Sequence, residues 1–199
     1  MVLNPVLLLH GIDDTDAIFH KLTPYLQSHG LVVHSLNMFP SNGSVGLDQL
    51  AQQVADYVDH TFSPEQAIDL VGFSMGGIIS RYYVQRLGGI QRVQRFITIS
   101  SPHQGTLTAY ARINAGGNQM QPKSAFLTQL NQDVVQLERL NFTSIWTPLD
   151  LMILPARSSQ LPVGKERKIP VGNHAWMVTD SRSLRAIAEA LHEPLRCNS

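Results

Sequence analysis

The sequence predicts an α/β fold, a mostly parallel sheet of about six strands with helices on both faces. Three observations carry this. Short β-rich runs alternate with helical stretches along the chain. The first of these runs, 6–9, is continuously apolar, as in parallel strands buried on both faces. No repeat, low-complexity tract or linker divides the 199 residues, a length that suits one domain with one sizeable core.

Residues 6–9 form the first β-rich run, 31–36 the second, 67–73 the third, 93–99 the fourth and 143–147 the fifth. Residues 168–171 are a weaker sixth, because Pro170 suits an edge strand better than a central one. Helices are expected over 17–28, 47–58, 75–87, 124–140 and 181–191. The first has Gly30 just beyond it as a stop signal. The second carries Leu47, Leu50, Ala51, Val54, Ala55 and Val58 at helical spacing. The third follows a strand directly and ends at Gly88-Gly89. Residues 103–123 show little periodicity and hold Gly105, Gly116, Gly117, Asn118 and Pro122, which marks them as a lid or substrate-binding segment within the single domain 1–199.

Composition narrows the function. Hydrophobic residues make up 43% of the chain and charged residues 15%, which supports a packed globule and argues against disorder. Fifteen basic and fifteen acidic side chains cancel, so general attraction to nucleic acid or an anionic membrane is not expected. One cysteine, Cys197, cannot make an internal disulfide and lies far from any Cys/His constellation, so it is read as having no functional role. No run approaches the roughly 20 apolar residues of a membrane span. The segment Met1-Val2-Leu3-Asn4-Pro5 has no basic region and leads straight into a strand, unlike a signal peptide. The expectation is a soluble cytoplasmic protein.

The motif Gly72-Phe73-Ser74-Met75-Gly76, followed by Gly77, falls between a predicted strand and a predicted helix. Glycine-rich turns of this pattern are common; the strand–turn–helix setting makes Ser74 a candidate nucleophile. A serine on so tight a turn stands clear of the backbone, and glycine removes the side chains that would clash there. The helix that follows points its N-terminal N–H groups toward developing negative charge.

Four further stretches accompany this motif in order: His10-Gly11-Ile12 at the end of the first strand, Ser101-Pro102-His103-Gln104-Gly105-Thr106, Asp150 and His174. With them the chain resembles the small bacterial lipases and esterases of the α/β-hydrolase superfamily, over almost its whole length. The resemblance implies an oxyanion hole made by the backbone N–H groups of Ile12 and Met75. It implies a structural part for His10 and His103, each fixing its loop. It also implies the chain order serine, acid, histidine, which leaves His174 and His192 as bases.

His192 ends an amphipathic helix and reads as a solvated terminus, whereas His174 sits in a loop after the last strand. Among the acids, Asp133 and Glu138 lie on a predicted helix and Glu166 in the charged cluster Gly164-Lys165-Glu166-Arg167-Lys168. Asp150 follows the fifth strand and precedes Leu151-Met152-Ile153-Leu154-Pro155, surroundings in which a lone carboxylate is costly unless paired. Asp150 is the preferred acid and Asp180 the reserve. One departure stands out: Asp13-Asp14-Thr15-Asp16 follows Ile12 where many relatives carry small neutral residues. These carboxylates are expected to face solvent or to bond backbone N–H groups of the next helix.

The triad Ser74, His174 and Asp150 needs no metal or organic cofactor. The implied substrate is a small-molecule or lipid-like acyl ester, with transient contact to a lipid surface left open. Acyl transfer through the same acyl-enzyme, or a non-catalytic binding module on this fold, are the alternatives.

Overall fold

The computed structural model describes residues 3–195. Cys197 lies outside the described residues. The strands are β1 Val6–Leu9, β2 Val33–Leu36, β3 Ile68–Phe73, β4 Val93–Ile99, β5 Asn141–Trp146 and β6 Lys165–Lys168. They form one all-parallel sheet in the order β2-β1-β3-β4-β5-β6. The helices are α1 Leu22–Ser28, α2 Leu47–Thr61, α3 Met75–Arg86, α4 Ala115–Gln119, α5 Ala125–Gln132 and α6 Ser181–Leu191.

Strand side chains alternate between two cores. Leu7, Leu9, Leu70 and Phe96 pack with the apolar faces of α2, α3 and α5. Val6, Leu8, Val71 and Ile97 pack with α1 and α6 on the opposite face. All six spaced apolar residues of α2 are buried, and each of the leucines and valines among them contributes about 1.5–3 kcal/mol when fully buried. Because every strand runs the same way, the connections after β1, β3, β4, β5 and β6 leave from one end of the sheet. Those connections carry every candidate site residue.

Four local expectations need correction. The helix expected over 17–28 is a 3-10 turn, Asp16–Phe19, followed by α1. Pro24 explains the break: a continuous helix would need its missing N–H to bond His20, and its ring would press on that carbonyl. The helix expected over 124–140 is α5 followed by a 3-10 stretch, Val134–Arg139. At their junction the Asp133 carboxylate is held from α3 by Gln85 at 2.9 Å and Arg86 at 2.5 Å. The sixth strand is Lys165–Lys168, not 168–171. Its charged side chains are what an edge strand tolerates, and Trp146 of β5 donates its Nε1–H to Glu166 at 2.8 Å. Finally, 103–123 contains regular structure, a 3-10 helix Leu107–Ala111 and α4. No helix among the described residues is long and apolar enough to cross a membrane.

Candidate active site

Ser74 occupies the turn between β3 and α3 with φ 54° and ψ −123°, a strained conformation for a residue with a side chain. Backbone bonds hold it there: Ser74 N–H donates to Ile99 at 2.8 Å, and Gly77 N–H donates to Ser74 at 3.1 Å. The flanking glycines are forced by crowding. A Cβ on Gly72 would lie 2.5 Å from the Cα of Gly77, and one on Gly76 would lie 2.5 Å from the His10 carbonyl oxygen. The second contact brings the elbow against the end of β1, where His10-Gly11-Ile12 begins the next loop.

His10 is buried and bridges two strands of chain. Its Nδ1 lies 2.9 Å from the Gly11 carbonyl, and its Nε2 accepts the Met38 N–H at 3.0 Å. These partners fix the tautomer with the proton on Nδ1 and tie the Ile12 loop to the chain after β2. The acidic run after Ile12 is spread over several partners. Asp13 pairs with Arg112, Asp14 accepts the Thr15 N–H at 3.1 Å, and Thr15 caps the 3-10 turn by accepting from Ala17 at 3.4 Å.

After β5 the chain brings Asp150 into a buried position, only 3% exposed, where an unpaired carboxylate would be unstable. Three N–H groups satisfy it. Oδ1 accepts from Met152 and Ile153, each at 2.9 Å, and Oδ2 accepts from His174 Nδ1 at 2.7 Å. His174 lies in the loop after β6 with its ring tilted against Phe73, the neighbour of Ser74, at a centroid distance of 4.8 Å. Upstream, Thr147 donates its hydroxyl to Val171 at 2.6 Å, joining the loops that carry the acid and the imidazole.

The other candidates go elsewhere. Asp180 caps α6 by accepting the Arg182 N–H at 2.9 Å, and the Arg182 guanidinium holds its carboxyl below the usual range. His192 bonds the Ala188 carbonyl at 2.7 Å at the end of α6. His103 is wholly buried with Nε2 3.0 Å from the Thr98 hydroxyl. Burial, aided by the Arg81 cation, pushes its pKa well below 6.5. Arg81 itself is buried and is pushed down to about 9 by that burial.

A cavity of about 270 Å³ opens over Ser74, with Ile12, Ala109, Arg112, Met120 and Ile153 among its lining residues. Most of that wall is apolar and much of it comes from the 103–123 segment. A wider cleft of about 560 Å³ near Arg157 and Glu166 includes neither Ser74, Asp150 nor His174 in its lining. The sequence marks 103–123 as a lid or substrate-binding segment but singles out neither Arg112 nor Thr108 within it. The one signal for Arg112 was the acidic run at 13–16, which calls for a cation. Among the described residues no cluster of three or more His, Cys, Asp or Glu side chains could hold a metal ion.

Similarity to known proteins follows the same outline. The chain is 32% identical over 111 residues to triacylglycerol lipases of Pseudarthrobacter phenanthrenivorans and Burkholderia plantarii. Those matches cover 51% of this chain but only 34% and 30% of the two lipases, so the chain spans about a third of their length. The fold is shared with the mature Bacillus licheniformis lipase BlEst2, at a TM-score of 0.76 and 13% identity, covering 95% of this chain and 92% of that one. It is shared also with Aspergillus fumigatus lipase B, at a TM-score of 0.80 and 17% identity, covering 97% and 53%. Residues 5–136 match the palmitoyl protein thioesterase family, a span that contains His10-Gly11-Ile12 and the Ser74 elbow but stops before Asp150 and His174. The chain therefore has the α/β-hydrolase fold of small lipases and esterases and belongs to the palmitoyl protein thioesterase family.

Proposed function

We propose that this protein hydrolyses carboxylic esters of lipid-like acyl groups through an acyl-enzyme on Ser74. The observation that carries this is the left-handed Ser74 elbow at a mainly apolar cavity. The 2.7 Å pair between His174 and Asp150 supports the rest of the machinery.

In the proposed cycle His174 Nε2 takes the Ser74 hydroxyl proton as Oγ bonds the substrate carbonyl carbon. The oxyanion that forms is stabilised by the N–H groups of Ile12 and Met75. The tetrahedral species collapses, the ester C–O bond breaks, and His174 returns the proton to the departing alcohol. Water then attacks the acyl-enzyme, giving its proton to His174. Collapse releases the carboxylic acid and restores Ser74–OH. Asp150 stays ionised, accepts the Nδ1–H and stabilises the imidazolium.

Ser74→Ala is expected to lower kcat on a p-nitrophenyl ester by at least about 10⁴-fold and to abolish labelling by a fluorophosphonate probe. Full esterase activity in that variant would refute the assignment. A second reading, favoured by the family match, is that the scissile bond is an acyl thioester. The same atoms would act, with a thiol as the leaving group. Comparing kcat/KM for oxygen and sulfur esters of one acyl group decides between them.

A further inference from the structure

We propose that Arg112 is a positioning residue: through Asp13 it fixes the oxyanion loop, so that Ile12 presents its N–H to the transition state. The inference rests on the ester-hydrolase reading above. It concerns one ion pair between residues 99 positions apart.

Asp13 directly follows Ile12 and sits at φ 56°, in the left-handed region that few residues with side chains occupy. Two contacts hold it. Its N–H donates to Ser41 at 3.0 Å, and its carboxylate takes Arg112 Nη2. The loop has little room for error, because a Cβ on Gly11 would come within 3.1 Å of the Ser74 Cβ. A rotation at Asp13 would be felt at Ile12 and hence at the donor.

Arg112 can serve as a fixed reference because its own segment is anchored on both sides. On one side the Thr106 and Thr108 hydroxyls donate to the Met152 carbonyl at 3.0 and 2.7 Å, and Leu107 N–H donates to Leu154 at 2.9 Å. Met152 is also one of the donors to Asp150. On the other side Gly116 N–H donates to Gly43 at 2.8 Å, Asn114 Nδ2 to the Asn42 carbonyl at 3.1 Å, and Gln119 Nε2 to Asp48 at 2.9 Å. The segment is thus braced between the Asp150 loop and the chain after β2, and from between these anchors Arg112 reaches Asp13 beside Ile12. Ile12, Ser74 and Arg112 line the same cavity beneath it.

A purely structural pair at this exposure, with side chains 33% and 49% accessible, would contribute little to stability and nothing to the chemical step. A positioning pair acts on kcat. The test measures kcat, KM and melting temperature on a p-nitrophenyl ester for Arg112→Gln, Asp13→Asn, the double variant and Arg112→Lys. Each neutralising variant is expected to lower kcat about tenfold, less than the 10²–10³ lost with an oxyanion donor itself. KM should stay within about twofold, as for an interaction made only in the transition state. The double variant should lose no more than either single one, because both break the same link. Arg112→Lys, which keeps the cation, should recover most of the rate. Unchanged kcat in both single variants, losses that multiply in the double variant, or an effect confined to KM would each overturn the inference. If Arg112→Gln fails to fold, Asp13→Asn and Arg112→Lys decide it by the same criteria. Ser74→Ala runs alongside: activity surviving there sinks the hydrolase reading, whereas loss there with full activity in the Arg112 and Asp13 variants sinks only the positioning role.

Discussion

Asp150 accepts three N–H donors, and His174 is only one of them. An asparagine at 150 would keep its carbonyl oxygen on Met152 and Ile153 and turn its NH₂ toward His174, favouring the wrong imidazole tautomer. Asp150→Asn should therefore lower kcat by about 10⁴ while circular dichroism stays unchanged. His103 carries a different prediction. Its pKa lies well below 6.5 when folded, so the unfolded chain binds the additional proton as pH falls below about 6.5. The stability tied to a neutral His103 is present above that pH and is lost on acidification. Urea midpoints measured from pH 7 to 5 should fall, and fall less in His103→Gln. Ser74 was legible because its motif is local, lying within five consecutive residues. Arg112 was not, because its partner is 99 residues away and its own segment shows no period.

Elements were legible where burial is regular, along one face of α2 and on both faces of β1, β3 and β4. The stripe of α2 and the apolar runs of β1, β3 and β4 lie where their spacing put them. Where tertiary contacts overrule the pattern, the sequence misleads. Lys165, Glu166 and Arg167 read as a solvated cluster, yet they pair in β6 with Thr143, Ser144 and Ile145. An edge strand has no need of apolar side chains to be held by its neighbour's backbone. Asp180 illustrates the reverse case, a charge placed as a reserve acid that serves a helix end. Asp180→Ala removes that cap and should cost about 1 kcal/mol of unfolding free energy. Its esterase rate should stay near that of the unaltered chain, a contrast with Asp150→Asn that one assay can read.

At the scale of the molecule, both cores meet in the central strands. Leu8 is fully buried between β2 and β3. Leu8→Ala should cost about 2–5 kcal/mol and lower the melting temperature by roughly 5–15 °C. The family match ends at residue 136, before Asp150 and His174. Those two groups hang on the last two strands, and His174 follows the four-residue edge strand whose side chains are mostly exposed. Such an edge opens more readily than the centre of a sheet. Fraying of β6 alone would carry His174 away from Asp150 while the elbow and both cores stay intact. Catalysis should then fail at a lower urea concentration than the circular-dichroism transition, with amides of β6 exchanging hydrogen faster than those of β3. The outermost strand would act as a fuse for the proposed hydrolase.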